Sequence, residues 1–106
     1  MARVKIKINE LTRKFANKLK ADFKPAKIIL FGSRATEDFW NYSDYDFIII
    51  SDKFEKVHWR DRINNITMHW NSDKPLIFFP YTKKEFYAKK KTSVVVKEAV
   101  KKGIVI

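Results

Sequence analysis

The sequence has 106 residues, of which 45% are hydrophobic and 15% aromatic, with two glycines, three prolines and no cysteine. A chain of this length forms one globular domain with one modest core, so we expect a single domain over residues 1–106. The missing cysteines exclude disulfides and thiolate metal sites, and the sequence has no apolar run long enough for a membrane span and no N-terminal signal peptide. We therefore expect a cytoplasmic protein that has no membrane segment.

The formal net charge is +11, and it is unevenly distributed along the chain. Residues 1–24 and residues 83–102 each carry eight lysines and arginines against two acids, whereas residues 25–82 carry seven against eight. Two basic arms therefore flank a nearly neutral centre. A basic surface attracts polyanions such as nucleotides or nucleic acid, but a solvated lysine-rich helix face has the same composition. Nucleic acid stays an open partner, because no base-reading motif accompanies the arms.

Hydrophobic periodicity predicts alternating helices and strands. Between Leu11 and Phe23 an apolar residue recurs at every fourth position, and Asn9 and Pro25 are suitable end residues for such a helix. Short apolar runs between turn residues are typical of buried strands. The predicted elements are a helix over residues 9–24, a strand Lys27–Phe31, a turn from Ser33, a loop over 39–43, a strand Phe47–Ile50, a helix over 53–70, a strand Leu76–Phe79 closed by Pro80, a helix after a capping box Thr82–Glu85, a helix from Ser93 to Lys102 stopped by Gly103, and an apolar tail over 104–106. This order predicts an α/β (α+β) domain with a central mixed sheet of three or more strands packed with helices.

A glycine and a serine follow the first predicted strand. Gly32 allows the backbone to approach a ligand closely, and free N–H groups at the start of a helical turn bind phosphate oxygens. The Ser33 hydroxyl adds one more donor, and the Arg34 guanidinium is a fixed positive charge suited to phosphate. Gly32, Ser33 and Arg34 are therefore candidate residues for binding a nucleotide through its phosphates.

Two aspartates lie at the start of the second predicted strand. Asp44 and Asp46 are two residues apart, so in a strand their side chains share a face. Two carboxylates about 7 Å apart along a strand repel each other unless a cation lies between them, and Mg²⁺ prefers such oxygens together with substrate phosphates. A phosphate cradle and a charge-neutralising metal are the parts that phosphoryl-type transfer needs. Both motifs also have a structural explanation, as a turn and as a helix start.

At these residues the sequence resembles the DNA-polymerase-β-like nucleotidyltransferase superfamily. The shared pattern is an apolar residue with Gly-Ser, a spacer of about ten residues, and Asp-x-Asp before an apolar strand, which reads here Leu30–Ala35 and Ser43–Phe47. The motif wording and the chain length are most similar to the minimal nucleotidyltransferases of archaea and bacteria. Further similarity at Pro80–Phe86 and from Glu98 to Ile104 extends the resemblance over most of residues 26–106.

The resemblance implies an activity, a cofactor and a partner. The family transfers a nucleoside monophosphate from a magnesium-bound nucleoside triphosphate, here expected to be ATP, to an acceptor hydroxyl. Asp44 and Asp46 would be the catalytic metal ligands, and Gly32 with Ser33 would hold the triphosphate. Many minimal members are antitoxins of a small helical protein of the HEPN type, and some modify that partner with AMP.

One position departs from the family pattern. The family's third carboxylate lies on the third strand, and alignment on the capping box Thr82–Glu85 places it at Ile77. The strand Leu76–Phe79 contains no acid, and Asp52 and Asp73 are poorly placed to replace it. Three hypotheses follow. The chain is a nucleotidyltransferase, with full or weakened activity, or it is a catalytically degenerate domain that works by binding a partner of the HEPN type. The third hypothesis is a nucleic-acid-binding module that uses the basic arms.

Overall fold

A computed structural model of the chain describes residues 8–36, residue 40 and residues 43–106. Of the predicted loop over residues 39–43, residues 39, 41 and 42 lie outside this described part. No helix in the described ranges is long and apolar enough to cross a membrane. The described elements are, in chain order, α1 Glu10–Phe23, β1 Lys27–Phe31, a 3-10 turn Gly32–Ala35, β2 Tyr45–Ile50, a 3-10 turn Asp52–Phe54, α2 Trp59–Thr67, β3 Leu76–Tyr81, α3 Lys83–Thr92, α4 Val94–Lys102 and β4 Ile104–Val105.

The four strands form one mixed sheet in the order β3-β2-β1-β4. β1 is antiparallel to both β2 and β4, whereas β2 and β3 are parallel. A parallel pair needs a crossover connection, and the segment that contains α2 supplies it. The predicted α+β class with a mixed sheet is confirmed, and the apolar tail, where Ile104 pairs with Leu30, is the edge strand β4.

Helix α1 begins and ends close to the predicted residues. The Asn9 side chain accepts a hydrogen bond from the Thr12 amide at 2.9 Å and so satisfies one of the free N–H groups of the first turn. Lys24, with a φ of 42°, takes the left-handed conformation that ends the helix. The apolar stripe is core, as predicted, and it packs Phe15 and Leu19 against the sheet.

Successive residues of β2 point to opposite faces of the sheet, and helices cover both faces. Phe47 and Ile49 belong to the core that α1 covers, whereas Ile48 and Ile50 belong to a second core that α3 and α4 cover. All four side chains are at most 3% exposed, and each such burial stabilises the fold by roughly 1.5–3 kcal/mol. The two cores fix β2 at the centre of the domain, together with the aspartates at its start.

The long helix predicted over residues 53–70 is wrong. A short 3-10 turn comes first, Lys56 takes a left-handed φ of 62°, and α2 begins only after His58, whose ring caps it by accepting a backbone hydrogen bond. The apolar spacing contained a signal for this break. The six positions from Val57 to Ile63 turn a helix by about 600°, so the two apolar groups do not share one stripe.

The last predicted elements are found with small differences. β3 continues through Pro80 by one residue, which an edge strand tolerates because proline removes only one donor. The predicted capping box is confirmed, since Thr82 and Glu85 exchange both of its hydrogen bonds. α4 begins after the predicted cap Ser93 and ends before Gly103.

Candidate functional site

Gly32 lies where β1 passes into its 3-10 turn, and its main chain touches the Asp46 carboxylate. Its φ is +72°, a conformation that residues with a side chain rarely adopt. A Cβ at this position would overlap Asp46 Oδ2 and lie 3.1 Å from Asp46 Cγ. The missing side chain therefore leaves the space that the carboxylate occupies. The fold brings into direct contact two predicted site residues that are far apart in the sequence.

A groove opens beside this contact, between the turn and α4. Its volume is about 470 Å³, which lies within the usual range for small-molecule sites. Ser33 borders it, and the Ser33 carbonyl closes the turn by accepting hydrogen bonds from the Thr36 amide at 3.1 Å and the Thr36 hydroxyl at 3.0 Å. The opposite wall is formed by residues of α4, namely Val94, Val95, Glu98 and Lys102. The groove thus combines the Gly-Ser turn, an apolar wall and one residue of each charge.

Asp44 and Asp46 are electrostatically coupled and both are half-buried. Burial raises the pKa of Asp46 above its usual value, and the negative charge of Asp44 raises it further. Tyr45, between them, points to the opposite face, where it is buried and its hydroxyl accepts a hydrogen bond from Asn9 Nδ2 at 2.7 Å. The two carboxylates therefore carry a repulsion that a bound cation would relieve.

The Arg34 side chain contacts the segment that carries Asp44. Its side chain is buried, and its Nε and Nη2 atoms lie 3.3 and 3.2 Å from the Ser43 carbonyl oxygen, to which they donate. Its guanidinium also lies over the Tyr45 ring, 4.2 Å from the centroid. These contacts hold the turn against the segment that carries Asp44. Phosphate binding by Arg34 stays a prediction, and the observed contacts give this residue a positioning role towards the segment that carries Asp44.

Ile77 lies directly beside Asp46 in the parallel pair of β2 and β3. Paired residues of neighbouring strands point to the same face, so Phe31, Asp46 and Ile77 form one row across three strands. Ile77 is 44% exposed, a high value for an isoleucine within a sheet. The register therefore puts this apolar side chain at the position where the resemblance expects a third carboxylate.

The donor set of the described residues fits one magnesium ion better than two. Asp44 and Asp46 are available as two carboxylates, and within the described ranges no group of three or more potential metal ligands comes together. Asp52, at the other end of β2, is engaged with Lys83, whose amide donates to Asp52 Oδ1 at 3.1 Å. One or two carboxylates with several waters and substrate phosphates are the usual environment of Mg²⁺. The residues present are thus compatible with a magnesium ion that arrives with a nucleotide.

Sequence reasoning missed Arg62, which organises the neighbourhood of β3. Its side chain is buried and donates to the carbonyls of Val57 at 2.9 Å and Pro80 at 3.1 Å, and to Glu85 Oε1 at 2.6 Å. These bonds tie α2 to the edge strand and to the start of α3. The only signal was an arginine next to Ile63 in an amphipathic segment, and that pattern also describes an exposed helix residue.

Comparison with known proteins identifies the family of this chain. The family model of the nucleotidyltransferase domain matches residues 12–105. This match covers both predicted motifs and nearly all of the described structure. An α+β domain that joins a Gly-Ser turn to an aspartate pair defines a candidate nucleotide-handling protein, and the chain belongs to the nucleotidyltransferase domain family. No sequence among the curated proteins matches the chain significantly.

Solved structures show the same fold at low sequence identity. A crystal structure at 1.40 Å resolution of a candidate nucleotidyltransferase from Sulfolobus solfataricus has a TM-score of 0.63 and 18% identity, with 91% of this chain and 76% of that chain covered. BolA1 from Arabidopsis thaliana has a TM-score of 0.59 and 17% identity, covering 74% of this chain and 98% of its own. The BolA domain of SufE1 from the same plant has a TM-score of 0.60 and 14% identity, covering 74% and 99%. A candidate nucleotidyltransferase and two BolA structures therefore share this fold. The fold by itself does not indicate a function, so the function has to be argued from the site residues.

Proposed function

We propose that this protein binds a magnesium-bound nucleoside triphosphate, with ATP as the expected nucleotide, and transfers its nucleoside monophosphate to an acceptor hydroxyl. The observation that carries this proposal is the contact between the Gly32 main chain and the Asp46 carboxylate. It supports a site in which triphosphate and metal ligands are neighbours.

Each part of the site has a proposed role. The main chain at Gly32 and the Ser33 hydroxyl would contact the phosphates, and the apolar wall of the groove, formed by Val94 and Val95, would contact the nucleoside. Asp44 and Asp46 would hold the magnesium ion, which when bound neutralises phosphate charge. The acceptor oxygen forms a bond to the α-phosphorus, the bond from that phosphorus to the bridging oxygen breaks, and pyrophosphate leaves with the electron pair. The acceptor proton passes to water, because Ile77 offers no base.

The test is label transfer from ATP that carries ³²P on its α-phosphate, with magnesium and a purified acceptor. We expect transfer by the wild-type protein, loss in Asp44→Ala, and loss when EDTA removes the metal. Asp73→Ala is the matched control, because Asp73 is an exposed acid in the turn before β3. Ile77→Asp should increase the rate, since it adds an acid beside Asp46. Equal labelling by wild type and Asp44→Ala would contradict the proposal.

A second function is favoured by Ile77 itself. An exposed isoleucine at the position expected for the third carboxylate suits a domain that has lost turnover and kept a binding surface. In that case the chain would act in the cytoplasm as the antitoxin of a HEPN-type helical partner, without modifying it. The two functions separate in one experiment with the purified partner. A tight complex that carries no label, and that Ile77→Asp does not turn into a labelling system, would support the binder.

A further inference from the structure

The groove at the Gly-Ser turn contains a pair of opposite charges to which the proposed function assigns no role. Of the described residues that line the groove, Lys102 carries the positive charge and Glu98 the negative one. They lie one helical turn apart on α4, and Lys102 Nζ is 3.3 Å from Glu98 Oε2. Both side chains are exposed to solvent. A ligand in the groove would therefore meet both charges.

The end of α4 that carries Lys102 lies next to the Gly-Ser turn. β4 follows α4 and runs antiparallel to β1, with Ile104 beside Leu30. Because the paired strands run in opposite directions, the chain before Ile104 extends towards the residues after Leu30, where Gly32 begins the turn. The crowding at Gly103 fits this direction, since a Cβ there would lie 3.0 Å from the Leu30 carbonyl oxygen. Lys102 therefore borders the groove near the residues proposed to hold the phosphates.

The wall that α4 contributes to the groove changes from apolar to charged along the helix. Val94 and Val95 line the groove at the start of α4, and Lys102 lines it at the end. The helix rises by about 10 Å between Val95 and Lys102. A nucleoside triphosphate has the same polarity, with a flat base at one end and a chain of charged phosphates at the other. A base that packs on the valines thus directs the phosphates towards Lys102 and Gly32.

Lys102 also has a purely structural explanation. A lysine in the last turn of a helix interacts favourably with the negative end of the helix dipole, and a glutamate four residues before a lysine supports a helix. Lys101 lies in the same last turn and serves the first purpose equally well. The structural explanation therefore predicts that the two lysines are equivalent for ligand binding. The position of Lys102 in the groove predicts that they are not.

The contact with Glu98 leaves Lys102 able to change its partner. An exposed ion pair gains little energy, because both groups are hydrated and both side chains lose freedom. A lysine ammonium is carried on a flexible four-carbon stem, and it is a common ligand of phosphates. A triphosphate keeps a net negative charge after one magnesium ion has bound, so it attracts the ammonium more strongly than a single carboxylate does.

We propose that Lys102 binds the phosphate chain of the nucleoside triphosphate and that Glu98 competes with the phosphates for its ammonium group. The free protein holds the pair Glu98–Lys102, and the ligand replaces the carboxylate. This inference rests on the proposed function, because it adds a binding residue to the same site. Lys102 raises the affinity for the triphosphate, and Glu98 limits it.

The first experiment is isothermal titration calorimetry of the full chain with magnesium-bound ATP, at about 0.1 M salt, where charges outside the site are largely screened. Lys102→Gln should weaken binding about tenfold, the size of one lost charge-assisted hydrogen bond. Lys101→Gln is the matched control, because Lys101 is an exposed lysine of the same turn that does not line the groove. Magnesium-bound tripolyphosphate, which lacks the nucleoside, should show the same difference. Equal affinities of the two variants for ATP would overturn the proposal.

The second experiment tests the competition by Glu98. Glu98→Gln should strengthen ATP binding about threefold, the size expected for release of an exposed ion pair. In the double variant Glu98→Gln/Lys102→Gln this gain should be largely lost, because Glu98 acts through Lys102. Unchanged or weaker ATP binding by Glu98→Gln, or a gain that the double variant keeps in full, would overturn the competition.

Label transfer by the same proteins separates this inference from the proposed function. Transfer by the wild type, together with wild-type ATP affinity of Lys102→Gln, overturns the inference and leaves the function standing. Binding of ATP and tripolyphosphate that depends on Lys102, without any label transfer, contradicts the transferase and leaves the phosphate contact standing. Absence of ATP binding by the wild type overturns both.

Discussion

The two faces of the central sheet are built from alternate residues of the same strands, yet they differ in how far their residues are exposed. On the face covered by α1, Tyr45, Phe47 and Ile49 are 2%, 0% and 0% exposed. On the other face, α3 and α4 cover Ile48 and the residues beyond it but leave Asp46 half-buried. The closed face is continuous hydrophobic core, whereas the open end of the other face collects polar residues and exposed apolar ones.

Stability and chemistry therefore reside on different parts of the sheet in this small domain. A chain of this size can bury only one modest amount of apolar surface, so it cannot give up much of either face to a site. The open row Phe31, Asp46 and Ile77 occupies one end of one face, where Phe31 packs against the core that α4 helps to form, while Asp46 stays half-buried and Ile77 is exposed. Stability should therefore depend mainly on the closed face, and function mainly on the open row.

Phe47→Ala should have the largest effect, because Phe47 is fully buried on the closed face and contacts the Phe15 and Trp70 rings. We expect a loss of about 3–5 kcal/mol in the free energy of unfolding, measured by urea denaturation. Ile77→Ala, in the open row, is the control and should lose less than about 1 kcal/mol because Ile77 is partly exposed. Similar losses in both variants would refute the separation of the faces.

Asp46→Asn should reduce label transfer by about 100-fold or more, which corresponds to about 2.7 kcal/mol of transition-state free energy. The amide keeps the shape of the side chain and removes the charge that a cation needs. The measurement is the rate of transfer at saturating ATP, with circular dichroism to confirm folding. A variant that folds and keeps the wild-type rate would show that the open row is not the site of transfer.

Gly32→Ala should affect both properties. The new methyl group collides with the Asp46 carboxylate, and the positive φ is unfavourable for alanine, so we expect a loss of about 1–2 kcal/mol in stability. ATP affinity should fall as well, because Asp46 has to move. Gly103→Ala provides a comparison, since Gly103 is also crowded but lies at the end of α4. It should lower stability and leave the ATP affinity of the folded protein unchanged.

Glu85→Gln should cost about 1–2 kcal/mol, less than the loss for a fully buried ion pair, because the Glu85 side chain is 42% exposed. Burial raises the pKa of Glu85, but hydrogen bonds from Arg62 and Thr82 and the Arg62 charge outweigh it, so the pKa is lower than the usual 4.5. A depressed pKa gives stability that is present above pH 4.5 and lost as the pH falls through the folded-state pKa. Urea titrations should therefore show the wild-type advantage at pH 7 disappearing in this acidic range.

The smallest predicted effect is a gain in the stability of the folded protein. Without magnesium, Asp46→Asn should stabilise the folded protein by roughly 0.5 kcal/mol at pH 7, because burial and the Asp44 charge both disfavour the ionised carboxylate. Addition of magnesium-bound ATP should stabilise the wild type more than the variant. Thermal unfolding with and without the nucleotide measures both differences. An unchanged or lower midpoint for the variant without nucleotide would show that Asp46 is not electrostatically strained.

Local patterns in the sequence were enough for most elements. Four-residue periodicity and an asparagine cap determined α1, a capping box determined the start of α3, and apolar runs determined the strands. These signals are readable because caps and amphipathic stripes act within a few residues. The prediction of one helix over residues 53–70 was wrong because it followed the apolar composition of the segment. The spacing between Val57 and Ile63 already departs from the helical period.

The assembly of the candidate site depends on long-range contacts. The sequence pattern predicted a Gly-Ser pair after one strand and two aspartates at the start of the next, and it indicated Ile77 as the unusual position. Only the fold put the Asp46 carboxylate into the empty side-chain space of Gly32, set Ile77 beside Asp46 in register, and turned Arg34 to Ser43 and Tyr45. Strand order, register and side-chain direction depend on contacts between residues distant in sequence, and no local pattern records them.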